Sequence, residues 1–199
     1  MNDYQAHWDD AYHGSDNSML GWYQSEHSVT LNLIKEIGRF QLSIIDVGAG
    51  VSTVFDELLK GDNDVSVLDI SKQALQQLKI RYGDRLKYHH GDLCSELDIG
   101  HFDIWHDRAV LHFLLEAEQR TAYVANLNAA IPPGGHAIIE TFSLSGEKRC
   151  CNLDLFRYDE KILADLLGPQ WELVNHVNHI HLNPFGGERP YVSTLFKRI

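Results

Sequence analysis

The residues of this chain that could do chemistry sit at the ends of short apolar runs. Residues 43–47 (SIIDV) contain Asp46 and lead into Gly48 and Gly50. Residues 64–69 (DVSVLD) end in Asp69 before Ile70, and residues 86–90 are followed by Gly91, Asp92 and Leu93. Residues 101–106 (HFDIWH) end in His106, with Asp107, Arg108 and His112 just beyond. Gly48 permits a sharp backbone turn. Gly50 removes a side chain where a ligand would approach the main chain, ahead of a helix whose first N–H groups are free. Asp69, about twenty residues past that turn, is placed to accept both ribose hydroxyls of a nucleoside cofactor. Asp92 suits hydrogen bonding to an adenine amino group. His106 and His112 are the candidate general bases by intrinsic pKa, with Asp107 and Arg108 as positioning groups. Each residue also has a plainer reading: a tight turn, an acid preceding a helix, a surface Asp107–Arg108 pair, a histidine resting on a helix.

These residues need a sheet to hold them. Run 43–47 reads as a central parallel strand covered on both faces. It is followed by a helix over residues 51–60 whose Val51, Val54, Phe55, Leu58 and Leu59 pack back on the sheet. Run 64–69 is a second strand, Ser71 caps a helix over 72–82, 86–90 is a third strand and 101–106 a fourth. A helix over 109–115 then carries His112, and another spans 116–130. The turn Pro132-Pro133-Gly134-Gly135 stops that helix and starts a strand over 136–142. Residues 143–154 read as a polar loop holding Cys150 and Cys151, residues 158–167 as a helix, and 171–181 and 191–197 as two strands joined by a loop into an edge hairpin. The first forty residues read as helical and rich in aromatics (Tyr4, Trp8, Tyr12, Trp22, Tyr23), with a second helix ending near Ile37. These rings cover the sheet, or Trp22 and Tyr23 form part of a lid.

Composition narrows the function classes. The 199 residues, 44% hydrophobic and 23% charged, fit one globular domain, with residues 1–40 as a helical cap belonging to the same domain as 41–199. A formal charge of −11 opposes binding to nucleic-acid phosphates or anionic lipid. The longest apolar runs are strand-sized and the N-terminus has no basic segment leading an apolar one, so no membrane span and a cytoplasmic location are expected. Three cysteines, Cys94, Cys150 and Cys151, make a poor disulfide framework and a poor zinc site; no metal is expected. The sequence leaves oligomeric state open.

IIDVGAG at 44–50, VLDIS at 67–71, GDL at 91–93, FDIWHDRAVLHFL at 102–114 and PPGGHAIIETF at 132–142, in that order, resemble the class I S-adenosylmethionine-dependent methyltransferases. WHDRAVLHFL, the early WYQ and Arg157-Tyr158 are similar to a bacterial branch of small methyltransferases. The thiopurine-type and seven-strand protein lysine enzymes have a glycine where Ala109 stands, so their substrates do not carry over. The resemblance implies an α/β, Rossmann-like doubly wound sheet, seven-stranded and mostly parallel, with an antiparallel hairpin edge and an N-terminal helical cap. It implies S-adenosylmethionine as cofactor. Gly48 and Gly50 would then lie near the methionine moiety with Asp46 near its amino group. Asp69 would hold the ribose, Ile70 one adenine face, Asp92 and Leu93 the adenine edge, and His106 would meet the methionyl end through its main chain. Trp22 and Tyr23, near the sulfonium, could favour the cation electrostatically. The expected activity is methyl transfer to a small-molecule acceptor; the alternatives are a protein lysine-type methyltransferase, an NAD-linked oxidoreductase, or a cofactor-binding protein without catalysis. The oxidoreductase is disfavoured because a dinucleotide turn would have a third glycine where Thr53 stands.

Overall fold

The computed structural model describes residues 3–14 and 16–199. Its centre is β1 (Ser43–Val47), where successive side chains enter opposite cores. Ile44 joins a cluster with Val67, Ile104, Ile138 and Leu195, and Ile45 joins the other with Trp105, Ala137 and Phe196. A strand buried on both faces needs apolar residues at consecutive positions, which explains the continuous runs. The first cluster is covered by α2 (Ser28–Glu36), α3 (Phe55–Leu58) and α4 (Lys72–Tyr82), through Leu33, Phe55 and Leu78. The second is covered by α5 (Ala117–Ala130) and α6 (Glu160–Leu167), through Tyr123, Leu127 and Leu163.

The remaining strands are β2 (Asp64–Asp69), β3 (Lys87–His90), β4 (Ile104–Arg108), β5 (His136–Phe142), a small hairpin of β6 (Arg149–Cys150) and β7 (Leu153–Asp154), then β8 (Trp171–Leu182) and β9 (Glu188–Arg198). The seven-stranded sheet runs β3-β2-β1-β4-β5-β9-β8. Strands β1 to β5 pair in parallel, β9 runs antiparallel to β5, and β8 closes the edge against β9. This is the expected doubly wound, Rossmann-like sheet with its hairpin edge. The chain reverses direction across the sheet between β1 and β4, and ligands of such sheets bind at the strand carboxyl ends beside that switch.

Local departures from expectation have identifiable causes. The helix expected over 51–60 shrinks to α3 and a 3₁₀ turn (Leu59–Gly61), because Ser52 N–H bonds Ala49 O at 3.1 Å and the Thr53 hydroxyl donates to Gln24 O at 3.0 Å. Strand β4 runs two residues further than expected, into Asp107 and Arg108. No helix forms over 109–115: Ala109 has φ +70°, and only a 3₁₀ turn, Leu111–Phe113, follows. The loop over 143–154 contains the β6–β7 hairpin, and the edge hairpin is longer than expected, leaving only residues 183–187 between its strands. Among the described residues no helix is long and apolar enough to cross a membrane.

Helix α1 (Asp3–Ala11) seats the N-terminal aromatics on this frame. The Asp9 carboxylate accepts from Ser71 Oγ at 2.7 Å and Gln73 N at 3.2 Å at the start of α4, and Gln77 donates to Tyr12 O at 2.7 Å. The Trp8 ring meets Trp22 at 5.7 Å and Phe113 at 5.1 Å between centroids, both edge to face.

Candidate active site

One crevice opens at the carboxyl ends of the strands. It is lined by Asp46, Gly48 and Gly50 from β1 and its turn, Asp69 and Ile70 from β2, Asp92 and Leu93 after β3, His106 and Arg108 from β4, and Trp22 and Tyr23 from the N-terminal segment. Every residue expected to bind the cofactor is therefore present, drawn together from five separated parts of the sequence. Gly48 and Gly50 take φ of +62° and +53°. A Cβ on Gly48 would lie 2.1 Å from Val110 Cγ2, and one on Gly50 would lie 2.5 Å from the Tyr12 hydroxyl. Both positions thus require glycine for backbone conformation and for space.

Asp69 is held from behind. Its two carboxylate oxygens accept one backbone N–H each, from Ser71 and Gly50, both at 2.7 Å. A carboxylate oxygen carries two lone pairs, so each retains one for an outside donor such as a ribose hydroxyl. Burial raises the Asp69 pKa to about 6, with the Ser71 and Gly50 bonds opposing. The bare glycine turn, the strand-end acid with spare lone pairs and the adjoining Ile70 and Asp92 fit an adenosyl group. Asp92 Oδ1 accepts from Cys94 N at 2.9 Å, which turns the chain beneath Leu93.

His106 is wedged in a buried row of charge. Its Nδ1 lies 2.7 Å from Asp46 Oδ2, and its Nε2 lies 3.5 Å from Glu140 Oε1. Burial opposes a charge on the ring, but the two carboxylates outweigh it and raise the pKa to about 10. At neutral pH His106 is an imidazolium, already holding the proton a base would have to take. The row continues through Glu140, which accepts from the Thr30 hydroxyl and, at 2.8 Å, from Ser193 Oγ. Ser193 Oγ is 2.9 Å from His179 Nε2. Burial alone would raise the Glu140 pKa, but the His106 and His179 rings that face it hold it well below the usual carboxylate range. His106 therefore serves as a counter-ion, which corrects the expectation of a catalytic base. The resemblance also placed its main chain at the methionyl end; its side chain contributes a fixed positive charge beside Asp46.

The rest of the expected catalytic group divides. Asp107 is fully buried, and its carboxylate accepts from Val110 N at 3.0 Å, Leu111 N at 3.2 Å and the Tyr123 hydroxyl at 2.8 Å. Burial raises its pKa to about 7 against those bonds. It caps the 3₁₀ turn rather than facing the crevice, so neither the surface pair with Arg108 nor a catalytic role stands. Arg108 does line the crevice: it donates to Trp22 O at 3.1 Å and its guanidinium lies 5.7 Å from the Tyr191 ring centroid. His112 also lines it, at 1% exposure, packed against Phe113 and Phe142 at ring separations of 4.5 and 5.0 Å. Burial, with Arg108 nearby, lowers its pKa to about 3. His112 is a neutral ring, and its Nδ1 has no hydrogen-bond partner among the described residues.

Glu140, Thr30, Ser193, Phe142 and Tyr191 were missed by sequence reasoning. Glu140 alone carried a signal, as an acid inside the apolar run HAIIETF; such a residue must find partners on burial. Phe142 ends the same strand, whereas Thr30 comes from α2 and Tyr191 and Ser193 from β9, which no local pattern connects to it.

Residues 45–137 match the sequence model of a family described as a methyltransferase domain. No curated protein matches the chain in sequence. Among solved structures, the fold is shared with a protein reported under "Conversion of a Disulfide Bond into a Thioacetal Group during Echinomycin Biosynthesis" (TM-score 0.79, 18% identity, 98% of this chain and 92% of that one). It is shared also with the Burkholderia thailandensis 1,6-didemethyltoxoflavin-N1-methyltransferase, solved with 1,6-didemethyltoxoflavin and S-adenosylhomocysteine (0.71, 19%, 98% and 85%). A third is the N-methyltransferase NodS of Bradyrhizobium japonicum, in complex with S-adenosylhomocysteine (0.73, 15%, 98% and 97%). At these identities the likeness is one of fold.

Proposed function

We propose, from the premise that the chain is an S-adenosylmethionine-dependent methyltransferase of the class I fold, that it methylates a small planar molecule at an atom whose lone pair is already free at neutral pH. The observation that carries this reading is the make-up of the crevice beyond Gly48. Phe113, Phe142, Tyr191 and Trp22 wall it, α1 covers it, and the polar groups that line it include the Arg108 guanidinium and Nδ1 of His112, which has no partner among the described residues. Aromatic walls with a few polar groups suit a compact organic ligand. Arg108 forms no ion pair among the described residues, and most of its five N–H donors remain for an oxygen or carboxylate on that ligand.

The cofactor's sulfonium is an activated methyl donor, so alignment of the acceptor supplies much of the acceleration. The two histidines expected as bases offer little. His106 is protonated and His112, with a pKa of about 3, binds protons weakly. An acceptor that must lose a proton first, such as an alcohol or a thiol, is poorly served; a ring nitrogen is served well. Nitrogen is the atom methylated by two of the fold relatives. In this reading Gly48, Gly50, Asp69, Ile70, Asp92 and Leu93 bind the cofactor, Asp46 with His106 faces its methionyl end, and Arg108 and His112 orient the acceptor.

Incubation with S-adenosylmethionine and pools of nitrogen heterocycles, thiols, phenols and unfolded protein, read as S-adenosylhomocysteine release, tests the assignment. Turnover with nitrogen heterocycles supports it, and turnover confined to thiols, which must lose a proton first, counts against it. Turnover confined to protein lysines would make the chain a protein methyltransferase, and turnover confined to phenols would contradict the weak-base argument.

A further inference from the structure

The methyl-transfer reading gives Cys150 and Cys151 no role, although both line the crevice. Cys150 ends β6, and Cys151 with Asn152 forms the two-residue loop to β7, at φ of +54° and +64°. Positive φ at both loop positions is the type I′ hairpin turn, which favours Asn or Gly. Asn152 suits it and Cys151 does not. Adjacent residues on a strand ordinarily face opposite sides. The left-handed backbone at Cys151 instead brings its sulfur to the same side, 3.4 Å from Cys150 Sγ. Backbone strain kept at a residue with a reactive side chain is a pointer to use.

The surroundings suit a ligand. Both cysteines line the crevice, and both line a second, outer hollow together with Trp22, Phe185, Arg149 and Arg189. The contact from Cys151, with Arg189 assisting against burial, lowers the Cys150 pKa and so favours the thiolate that bonds soft atoms. Among the described residues no group of three metal-ligating side chains forms, so a bare zinc ion, which needs four ligands, is not provided for. A centre that brings its own substituent needs only two sulfurs. Taking the roughly 2.3 Å zinc–thiolate bond as a guide, sulfurs 3.4 Å apart subtend about 95° at the bound atom. That is the narrow angle of a pyramidal trivalent centre.

We propose that Cys150 and Cys151 form a dithiol site for one trivalent thiophilic centre, of the organoarsenical class, held at the junction of the acceptor crevice and the outer hollow. With an arsenoxide, two arsenic–sulfur bonds form and the arsenic–oxygen bond breaks. The oxygen leaves as water with the two thiol protons, and nothing is oxidised or reduced. The site is independent of methyl transfer, and its test needs no acceptor.

The reduced protein is treated with phenylarsine oxide and read by intact mass, with challenge by excess 2-mercaptoethanol or dithiothreitol. The expected result is one adduct per chain that survives the monothiol and is removed by the dithiol. It should persist in Cys94→Ser and be lost from Cys150→Ser and from Cys151→Gly, the latter suited to the turn's left-handed backbone. An adduct that survives in either variant, or that the monothiol strips from the parent, overturns the proposal. Calorimetry with S-adenosylmethionine on the same variants should show parent-like cofactor binding, which separates failure here from failure of the methyltransferase reading.

Discussion

The two ends of the crevice are built on different principles. At the end proposed for the donor, the features are backbone and strand-end acids: two glycines in left-handed conformation, a carboxylate fixed by two N–H groups, and a turn set by Asp92. Each arises within a few residues of a strand end. At the acceptor end, Arg108 from β4, Phe142 from β5, Tyr191 from β9 and Trp22 from the cap meet only when the sheet is complete. The donor end is accordingly suited to one constant ligand.

The largest effect should come from Gly48→Val, at the donor end. Its left-handed backbone costs a branched residue about 1–3 kcal/mol, and the collision with Val110 adds overpacking strain of about 1–3 kcal/mol. The variant should lose measurable S-adenosylmethionine binding, by calorimetry alongside circular dichroism. A folded variant with parent affinity would remove the glycine turn from the site.

Asp69→Ala should come next, weakening cofactor binding by two charge-assisted hydrogen bonds at about 1.5–3 kcal/mol each, while Asp69→Asn, which keeps one acceptor oxygen, loses less. Parent affinity should also fall as the pH drops below about 6, where Asp69 takes up a proton and can no longer accept at both oxygens. Affinity flat across that range would break the ribose assignment.

His106→Gln tests the charge row beneath the join of the two ends. A folded-state pKa raised from 6.5 to about 10 means that its stabilisation is complete below pH 6.5 and fades as the pH rises toward 10. Glu140, held low, contributes in the opposite sense: its stabilisation is present above the usual carboxylate range and lost on acidification. The thermal midpoint of the parent should decline between pH 6.5 and 10, and the His106→Gln variant should lack most of that decline. Equal slopes would mean that the ring is not charged.

The smallest effect is expected at His112→Asn, which preserves a polar planar group. A working base would forfeit about 10²- to 10⁴-fold in turnover; an orienting ring should forfeit far less and leave the pH profile unchanged. A loss in the base's range, with a changed pH profile, would restore a catalytic role for His112.

These contrasts also explain what was legible in the sequence. Asp46, Gly48, Gly50, Asp69 and Asp92 could be read as crevice residues because strand, turn and acid are consecutive, while the sheet architecture came from the resemblance those runs carry. The helix expected over 109–115 failed because a buried Asp107 captures the N–H groups of Val110 and Leu111 while Ala109 turns left-handed. Neither event leaves a mark on hydrophobic periodicity. His106 was legible as a position and read as a base, since its protonation depends first on Asp46, which only the pairing of β1 with β4 brings to its Nδ1, and then on Glu140, which its Nε2 faces. The Cys150–Cys151 contact likewise needed the type I′ turn, which Cys-Asn does not announce.

The most direct test of the account is a pair of calorimetric titrations, S-adenosylmethionine and NADH, into the parent and into Asp69→Ala. One S-adenosylmethionine site per chain, weakened by the substitution, with no heat of binding for NADH, is the predicted result. Binding of NADH in place of S-adenosylmethionine, or S-adenosylmethionine affinity indifferent to Asp69, would contradict it.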